Sequence, residues 1–321
     1  MGTPLVDALR DIMAQKQVSF HMPGHKGGRL FPPPFSGCMA AMDTTEIPGL
    51  DNLQAPEGVI KQAEELAAEA FQSDACFFLV NGSTSGIHIM MMSAFQPGDE
   101  VLLPRNCHKS VWGGLVLSGA VPVYLLPKYD EEYGWATHVT PEIVQQAVRK
   151  HPDARGMILT NPNYYGMCPR MKEIRRILNG HHMQMLVDEA HGAHLIFHPG
   201  LPPSAAECGA DFWVQSAHKT LPALTQSAYL QVRLAGRDSA EGPSRTAVLP
   251  RVEQVSRMLQ STSPSYLLMA SLDWARDYMA EQGKAALDRL LGNLEWTRAE
   301  LRDLGIETME NYRRPEILGM D

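Results

Sequence analysis

Phe212-Trp213-Val214-Gln215-Ser216-Ala217-His218-Lys219-Thr220 and, upstream, Met185-Leu186-Val187-Asp188-Glu189-Ala190-His191 share one pattern: a short apolar run that ends in polar, reactive side chains. Runs of this length with such boundaries read as buried strands. In an open parallel sheet, ligands gather beyond the carboxyl ends of the strands. Both clusters are therefore expected at one edge, with Lys219 and Asp188 facing a common space.

Outward from these two strands the pattern repeats. Further strands are expected at 76–80, 100–103, 121–125, 156–160 and 228–232, and the two quoted runs extend over 183–187 and 212–215. Helical patterns lie between most of them, such as 57–71, 87–95, 141–150 and 169–179. Alternation of this kind predicts an α/β fold: a mainly parallel, seven-stranded sheet with helices on both faces. Before the sheet, a short helix is expected over 4–16. The Gly/Pro-dense stretch 20–34 and the segment 43–56 then read as an irregular arm. After Arg233 the pattern changes to a polar loop at 236–243 and long helices at 252–258 and 266–304, with Gly305-Ile306-Glu307-Thr308-Met309 as the start of another strand. The expected division is an arm over 1–55, a large domain over 56–250, and helices with the start of a further domain over 251–321.

A chain of 321 residues, 44% hydrophobic, is long enough to bury such a core. Its net charge of −8 and the lack of any Lys/Arg run exclude nucleic acid as the main partner. The cysteines at 38, 76, 107, 168 and 208 are odd in number and include no C-x-x-C pair, which fits reduced thiols rather than disulfides or a zinc ribbon. No secretory leader is recognisable at the amino end, and no apolar run is long enough to span a membrane. A soluble cytoplasmic protein is expected.

An amine and a carboxylate delivered to one sheet edge are what pyridoxal phosphate requires. The lysine forms the Schiff base, and the carboxylate keeps the pyridine nitrogen protonated. Asn81-Gly82-Ser83-Thr84-Ser85-Gly86 falls between a strand and a helix, where Ser83, Thr84 and Ser85 with free N–H groups can hold a phosphate. The same residues are also ordinary helix-capping chemistry. His108, in Arg105-Asn106-Cys107-His108-Lys109-Ser110, can lie against a cofactor ring or face solvent as a loop histidine. Lys109 is the rival of Lys219, but choosing it leaves Ser216 and His218 without a purpose. If the strand ran on, alternation would put those two on one side and Lys219 on the other; a tight turn lets all three converge. Asp-Glu-Ala-His also spells a helicase box, which needs an upstream Gly-Lys-Ser/Thr loop that this chain lacks. His191, His194 and His198 raise a metal site, against which Gly192 and Pro199 argue for a turn. Asp43, Glu46 and Asp51 can border the site as partners for a cationic substrate, but are read as solvated loop charges.

Together these motifs resemble the ornithine/lysine/arginine decarboxylases, which are fold-type-I pyridoxal phosphate enzymes. The resemblance rests on Phe20-His21-Met22-Pro23-Gly24-His25-Lys26-Gly27, the 81–86 and 106–110 segments, Asp188-Glu189-Ala190-His191-Gly192-Ala193-His194 and Ser216-Ala217-His218-Lys219-Thr220-Leu221. Thr262-Ser263-Pro264-Ser265-Tyr266 and Ser271-Leu272-Asp273 extend it. It implies that Lys219 carries the cofactor, Asp188 pairs with its ring nitrogen, and His108 stacks on the ring. Ser83, Thr84, Ser216 and His218 would hold the phosphate, with Ser85 in the same loop, and His191 would lie near the ring edge. Residues 262–265 would reach the cofactor of a second subunit, so a homodimer or larger homo-oligomer is implied. The chain looks like the short form without an amino-terminal wing domain, and holds only the start of the family's smaller carboxyl-terminal domain. Asn163 stands where the family usually has threonine. The activity implied is α-decarboxylation of a basic L-amino acid, a lyase reaction of polyamine-type metabolism. Two alternatives stand beside it: another fold-type-I reaction, such as an aminotransferase or lyase, and a non-catalytic, truncated protein of the same fold.

Overall fold

The computed structural model describes residues 18, 20, 23–26, 28–37, 39–47, 49–234, 245–309 and 312–321. The helix expected over 4–16, the polar loop at 236–243, and His21, Met22 and Gly27 of the arm motif lie outside the described residues.

All seven expected strands form and join in one sheet. They are β1 (Ala75–Leu79), β2 (Glu100–Pro104), β3 (Val121–Leu125), β6 (Gly156–Thr160), β8 (Gln184–Asp188), β9 (Phe212–Gln215) and β10 (Ala228–Val232); the short strands β4 (Tyr129–Asp130), β5 (Trp135–Ala136) and β7 (Met167–Pro169) complete the numbering up to β10. The order is β1-β10-β9-β8-β6-β2-β3. Pairings from β9 through β8, β6 and β2 to β3 are parallel, and only β10 runs against its two neighbours.

Strict alternation explains why these runs are almost wholly apolar. Leu186, Ile158, Phe212 and Val214 enter one core layer, while Met185, Val187, Met157, Leu159 and Trp213 enter the other. Successive strand residues face opposite sides, so a sheet covered on both faces needs apolar residues at every position. The first layer is closed by α2 (Gly82–Ala94), α3 (Lys109–Ser118) and α7 (Arg245–Leu259), and the second by α4 (Pro141–Lys150) and α5 (Met171–Asn179). A third apolar cluster joins α1 (Val59–Ala70) to the long α8 (Tyr266–Asp303). Gly86 lets α2 sit tightly on the sheet: a Cβ there would lie 2.5 Å from Leu79 Cδ1 and 2.8 Å from Val214 Cγ1. That contact sets the start of α2 beside the strand ends.

Three features differ from expectation. Helix α2 begins at Gly82, five residues before the expected start, because the Ser/Thr/Gly stretch is its first turn rather than a loop. Residues 305–309 form no strand; Gly305 has φ of 74° just past the end of α8. The last strand, β11 (Ile317–Met320), pairs antiparallel with β7 instead. Both partners are too short to stand out from loop residues by their own pattern. After β9 the chain does not continue extended: it closes into a single helical turn, α6 (Ala217–Thr220).

Candidate active site

The strand register brings the two quoted clusters together. Asp188, the last residue of β8, lies opposite Thr160 on one side and Val214 on the other. Two residues past Val214, Ser216 opens the turn that carries Lys219. Both side chains line a cavity of about 400 Å³, together with Ser83, His108, Lys109 and His191.

Lys219 is half-buried, and its Nζ lies 3.1 Å from His191 Nε2. Burial pushes its amine below the usual lysine value, with the Asp188 charge opposing. Burial, and then the Lys219 charge, push His191 down to about 4. It is therefore neutral near pH 7 and accepts from the ammonium. Asp188 is 3% exposed. Its Oδ1 accepts from Ala190 N at 3.2 Å. Burial drives its carboxyl up, partly offset by that N–H, by Lys219 and by His108.

His108 is the N-cap of α3: its Nδ1 accepts from Ser110 N at 3.2 Å and lies 2.8 Å from Ser110 Oγ. The ring is thereby anchored by one nitrogen at the cavity wall. Lys109 also lines the cavity but is exposed at the first turn of α3. Lys219, sequestered against His191, is the better-prepared amine.

Ser216 Oγ donates to Ser83 Oγ at 2.7 Å, joining the Lys219 turn to the first turn of α2. That helix start has no side-chain cap, because Asn81 Oδ1 instead accepts from Ser261 N at 3.3 Å. Uncapped N–H groups at the start of a 13-residue helix favour an anion. Ser85 turns away: its Oγ donates to Gly82 O at 2.8 Å within the helix. Thr84 is exposed in the same turn and, like Ser216, is not among the residues that line the cavity. His218 also departs from its expected place. Its Nδ1 is 3.1 Å from Ser227 O, and its backbone oxygen accepts from Gly24 N at 2.9 Å. The turn brings Ser216 and Lys219 together but points the His218 ring back toward β10. Gly24 is required there, since a Cβ would lie 2.5 Å from Leu221 O. The arm thus packs over the lysine turn.

The three histidines of the possible metal site separate: His191 goes to Lys219, His194 Nε2 to Asp321 Oδ1 at 2.7 Å, and His198 Nε2 to Asp288 Oδ1 at 2.8 Å. Asp51 is a partly exposed carboxylate tied to the backbone rather than a free loop charge, and it does not line this cavity. Its carboxylate accepts from the backbone of Asn52, Glu57, Gly58, Ile60 and Lys61, gathering the start of α1. Sequence reasoning missed Tyr164, which lines the cavity and meets the His191 ring edge-on at 6.1 Å. An exposed aromatic in the loop after β6 was the available signal. Asn163 also lines the cavity, but its Oδ1 is committed to Tyr165 N and Met167 N.

The donor set fits pyridoxal phosphate. A sequestered amine and a buried carboxyl share one cavity, an imidazole stands at its wall, and a hydroxyl pair lies beside an uncapped helix start for the phosphate.

Comparison with known proteins agrees. The family described as the major domain of Orn/Lys/Arg decarboxylases matches residues 3–319. The arginine decarboxylase of Bacillus subtilis is 40% identical over 308 residues, covering 94% of this chain and 60% of its own length. The YaaO protein of the same organism is 45% identical over 284 residues, covering 87% and 57%. The chain thus spans about three fifths of the length of these relatives. Among solved structures, the Francisella novicida lysine decarboxylase LdcF superposes with a TM-score of 0.71 at 26% identity, over 90% of this chain and 42% of that one. The Sphingomonas wittichii serine palmitoyltransferase, at 16% identity and a TM-score of 0.65 over 87% and 65%, shares the fold alone. With a family match that runs through the arm, the sheet and the last strand, the chain belongs to the ornithine/lysine/arginine decarboxylase family.

Proposed function

We propose that the protein decarboxylates a basic L-amino acid (arginine, lysine or ornithine) at its α-carbon with pyridoxal phosphate as cofactor, giving agmatine or a diamine and CO2. The observation that carries this is the delivery of Lys219 and Asp188 to one cavity by adjacent strands, in a chain of this family. When bound, the cofactor supplies an electron sink for the pair that departing CO2 leaves at the α-carbon.

The chain's own residues divide the remaining work. Lys219 Nζ is the amine that would hold the cofactor, Asp188 would keep the proton on its ring nitrogen, and His108 would bear on the ring. Ser83, Ser216 and the start of α2 would take the phosphate. Walled by apolar strands, Asp188 acts at low dielectric, where its charge counts for most. The proton that replaces the lost carboxyl group is best delivered from Lys219 Nζ. His191 Nε2 accepts from that amine and holds it in place.

The same proposal includes an arm over 1–55, a cofactor domain over 56–250 and a helical segment over 251–321. It also makes the protein a cytoplasmic enzyme of polyamine-type metabolism, acting as a homodimer or larger homo-oligomer with a shared site. Several observations support these finer points. Cys76, Cys107, Cys168 and Cys208 are free thiols, and no described helix is long and apolar enough to cross a membrane. Exposed Ile47 and Val59 border an apolar cavity of about 590 Å³ between the arm, α1 and α8.

The test is CO2 release from arginine, lysine and ornithine, with borohydride reduction and peptide mapping of the bound cofactor. Release from at least one of the three, with a pyridoxyl mass on Lys219, is expected. Exchange of the α-hydrogen without CO2 would move the protein to an aminotransferase-like reaction. A folded, cofactor-loaded, inert protein would make it non-catalytic.

A further inference from the structure

The residue after Asp188 does not line the cavity. Glu189 is fully buried, and its carboxyl group gathers three donors. Ala205 N at 2.6 Å and Asn161 Nδ2 at 3.2 Å reach Oε1, and Gln215 Nε2 at 2.8 Å reaches Oε2. These donors come from three separate places: the loop leading into β9, the residue just past β6, and the last residue of β9. Backbone bonds join the same points, with Asn161 N to Asp188 O and Glu189 N to Val214 O both at 2.9 Å. Behind them the line continues, as Gln231 Nε2 donates to Gln215 Oε1 at 3.4 Å and Ser73 Oγ donates to Gln231 Oε1 at 2.7 Å.

We infer that Glu189 is a positioning residue, which sets the separation of Asp188 and Lys219 by pinning together the strand ends that carry them. This rests on the roles proposed above for those two residues. The amine and the carboxyl belong to different strands. Asp188 ends β8, whereas Lys219 follows β9 through Gln215 and Ser216. Glu189–Gln215 is the side-chain bond that crosses between those two ends, one residue from Asp188 and one from Ser216. Ser216 in turn holds Ser83, so the strut fixes the start of α2 as well.

The chain of bonds also dictates which substitutions the position tolerates. Burial pushes the Glu189 carboxyl up to about 8 against its three donors. The carboxyl oxygens of Glu189 accept from all three donors, whereas the amide of a glutamine would donate to the Gln215 oxygen. Gln215 and Gln231 then turn their amides over, and Ser73 receives the last hydrogen with no buried donor stranded. An alanine strands Ala205 N and Gln215 Nε2, and leaves Asn161 Nδ2 only its bond to Pro203 O at 3.4 Å.

The experiment compares the full-length wild type with Glu189→Ala and Glu189→Gln. Pyridoxal phosphate affinity, the pH midpoint of the bound cofactor's visible absorption, and peptide-resolved hydrogen exchange at 186–190 and 214–219 are measured. Glu189→Ala is expected to weaken cofactor binding about tenfold, as loss of an outer supporting bond does at metal sites. The absorption midpoint should move upward as water reaches the Lys219, Asp188, His191 and His108 group, and both peptides should exchange faster. Glu189→Gln should restore most of each loss. Equal behaviour of Glu189→Ala and wild type would overturn the inference, as would a folded Glu189→Gln as impaired as the alanine variant. If Glu189→Ala does not fold, Gln215→Leu removes one arm of the strut and carries the same outcomes. A wild type that takes up no cofactor would defeat the functional proposal alone, because hydrogen exchange still decides whether Glu189 pins the strands.

Discussion

Strands β8 and β9 carry a buried carboxylate at each end, and the two ends are treated in opposite ways. At the amino end, Asp211 takes Arg175 Nη1 at 2.7 Å, Arg175 Nη2 at 3.3 Å and Met185 N at 2.8 Å. At the carboxyl end, Asp188 has the single N–H of Ala190 and no ion pair among the described residues. A bidentate guanidinium satisfies a carboxylate almost completely, so Asp211 closes the fold where it stands. Asp188 is left wanting a positive donor that no described residue supplies within bonding distance. Buried, under-paired ionisable groups of this kind mark working sites.

Several substitutions would break or sharpen that contrast. The largest effect is expected from Lys219→Ala at the under-paired end: CO2 release should fall by roughly 10⁴-fold or more, the scale of losing a covalent catalytic group. Borohydride should then fix no pyridoxyl group at that position, and appreciable turnover would remove the proposed role. Asp188→Asn should lower turnover by roughly 10²- to 10³-fold, the scale of one preorganised electrostatic partner. Its melting temperature at pH 7 should hold or rise. The folded carboxyl titrates above its unfolded value, so the native state binds the extra proton and loses stability as pH rises; asparagine removes that penalty. A drop in melting temperature would show that Asp188 is structural. Asp211→Ala should do the reverse, costing about 2–3 kcal/mol in urea unfolding by leaving the buried Met185 N and the partly buried Arg175 without their partner.

Two smaller effects test carboxyls away from the cavity. Glu64, on α1, is 2% exposed, with Oε1 accepting from Phe78 N at 2.9 Å. Burial pushes it up to about 8 from 4.5. Stability should therefore decline as pH rises from about 4.5 to about 8, where the unfolded chain has already released this proton. Glu64→Gln should unfold at higher urea than wild type, by on the order of 1–2 kcal/mol at pH 8 and by much less at pH 5. A pH-independent difference would contradict the burial of that proton. Asp51→Ala, which strips the cap from α1, should cost about 1 kcal/mol without touching the cavity chemistry. A large change in CO2 release from that variant would return Asp51 to the site.

The strands and the cavity residues were legible for a shared reason. Runs such as Met185-Leu186-Val187 are apolar at every position because both sheet faces are covered, and each ends in a polar cluster because the edge is not. Side-chain hydrogen-bond partnerships left no comparable mark. Asp51 looked like one more loop charge, since its five N–H partners appear only when the chain folds back on α1. Glu189 looked like half of a motif beside Asp188, since its partners lie 16 to 28 residues away. Strands β7 and β11 carry no alternation long enough to read, and each exists because of the other.

Residue order alone determined which side chains reach the working edge: a strand ends where its apolar run ends, and the polar residues next in the chain are delivered there. It likewise determined the layered architecture, because one-residue alternation within continuous apolar runs has no other stable burial. Tertiary structure decided which of the delivered groups face inward. The single helical turn after β9 sent Lys219 to the cavity, Ser216 to Ser83 at its edge and His218 to Ser227, while the first turn of α2 folded Ser85 back on itself. Those outcomes depend on hydrogen-bond partners supplied by other strands, which local sequence cannot name.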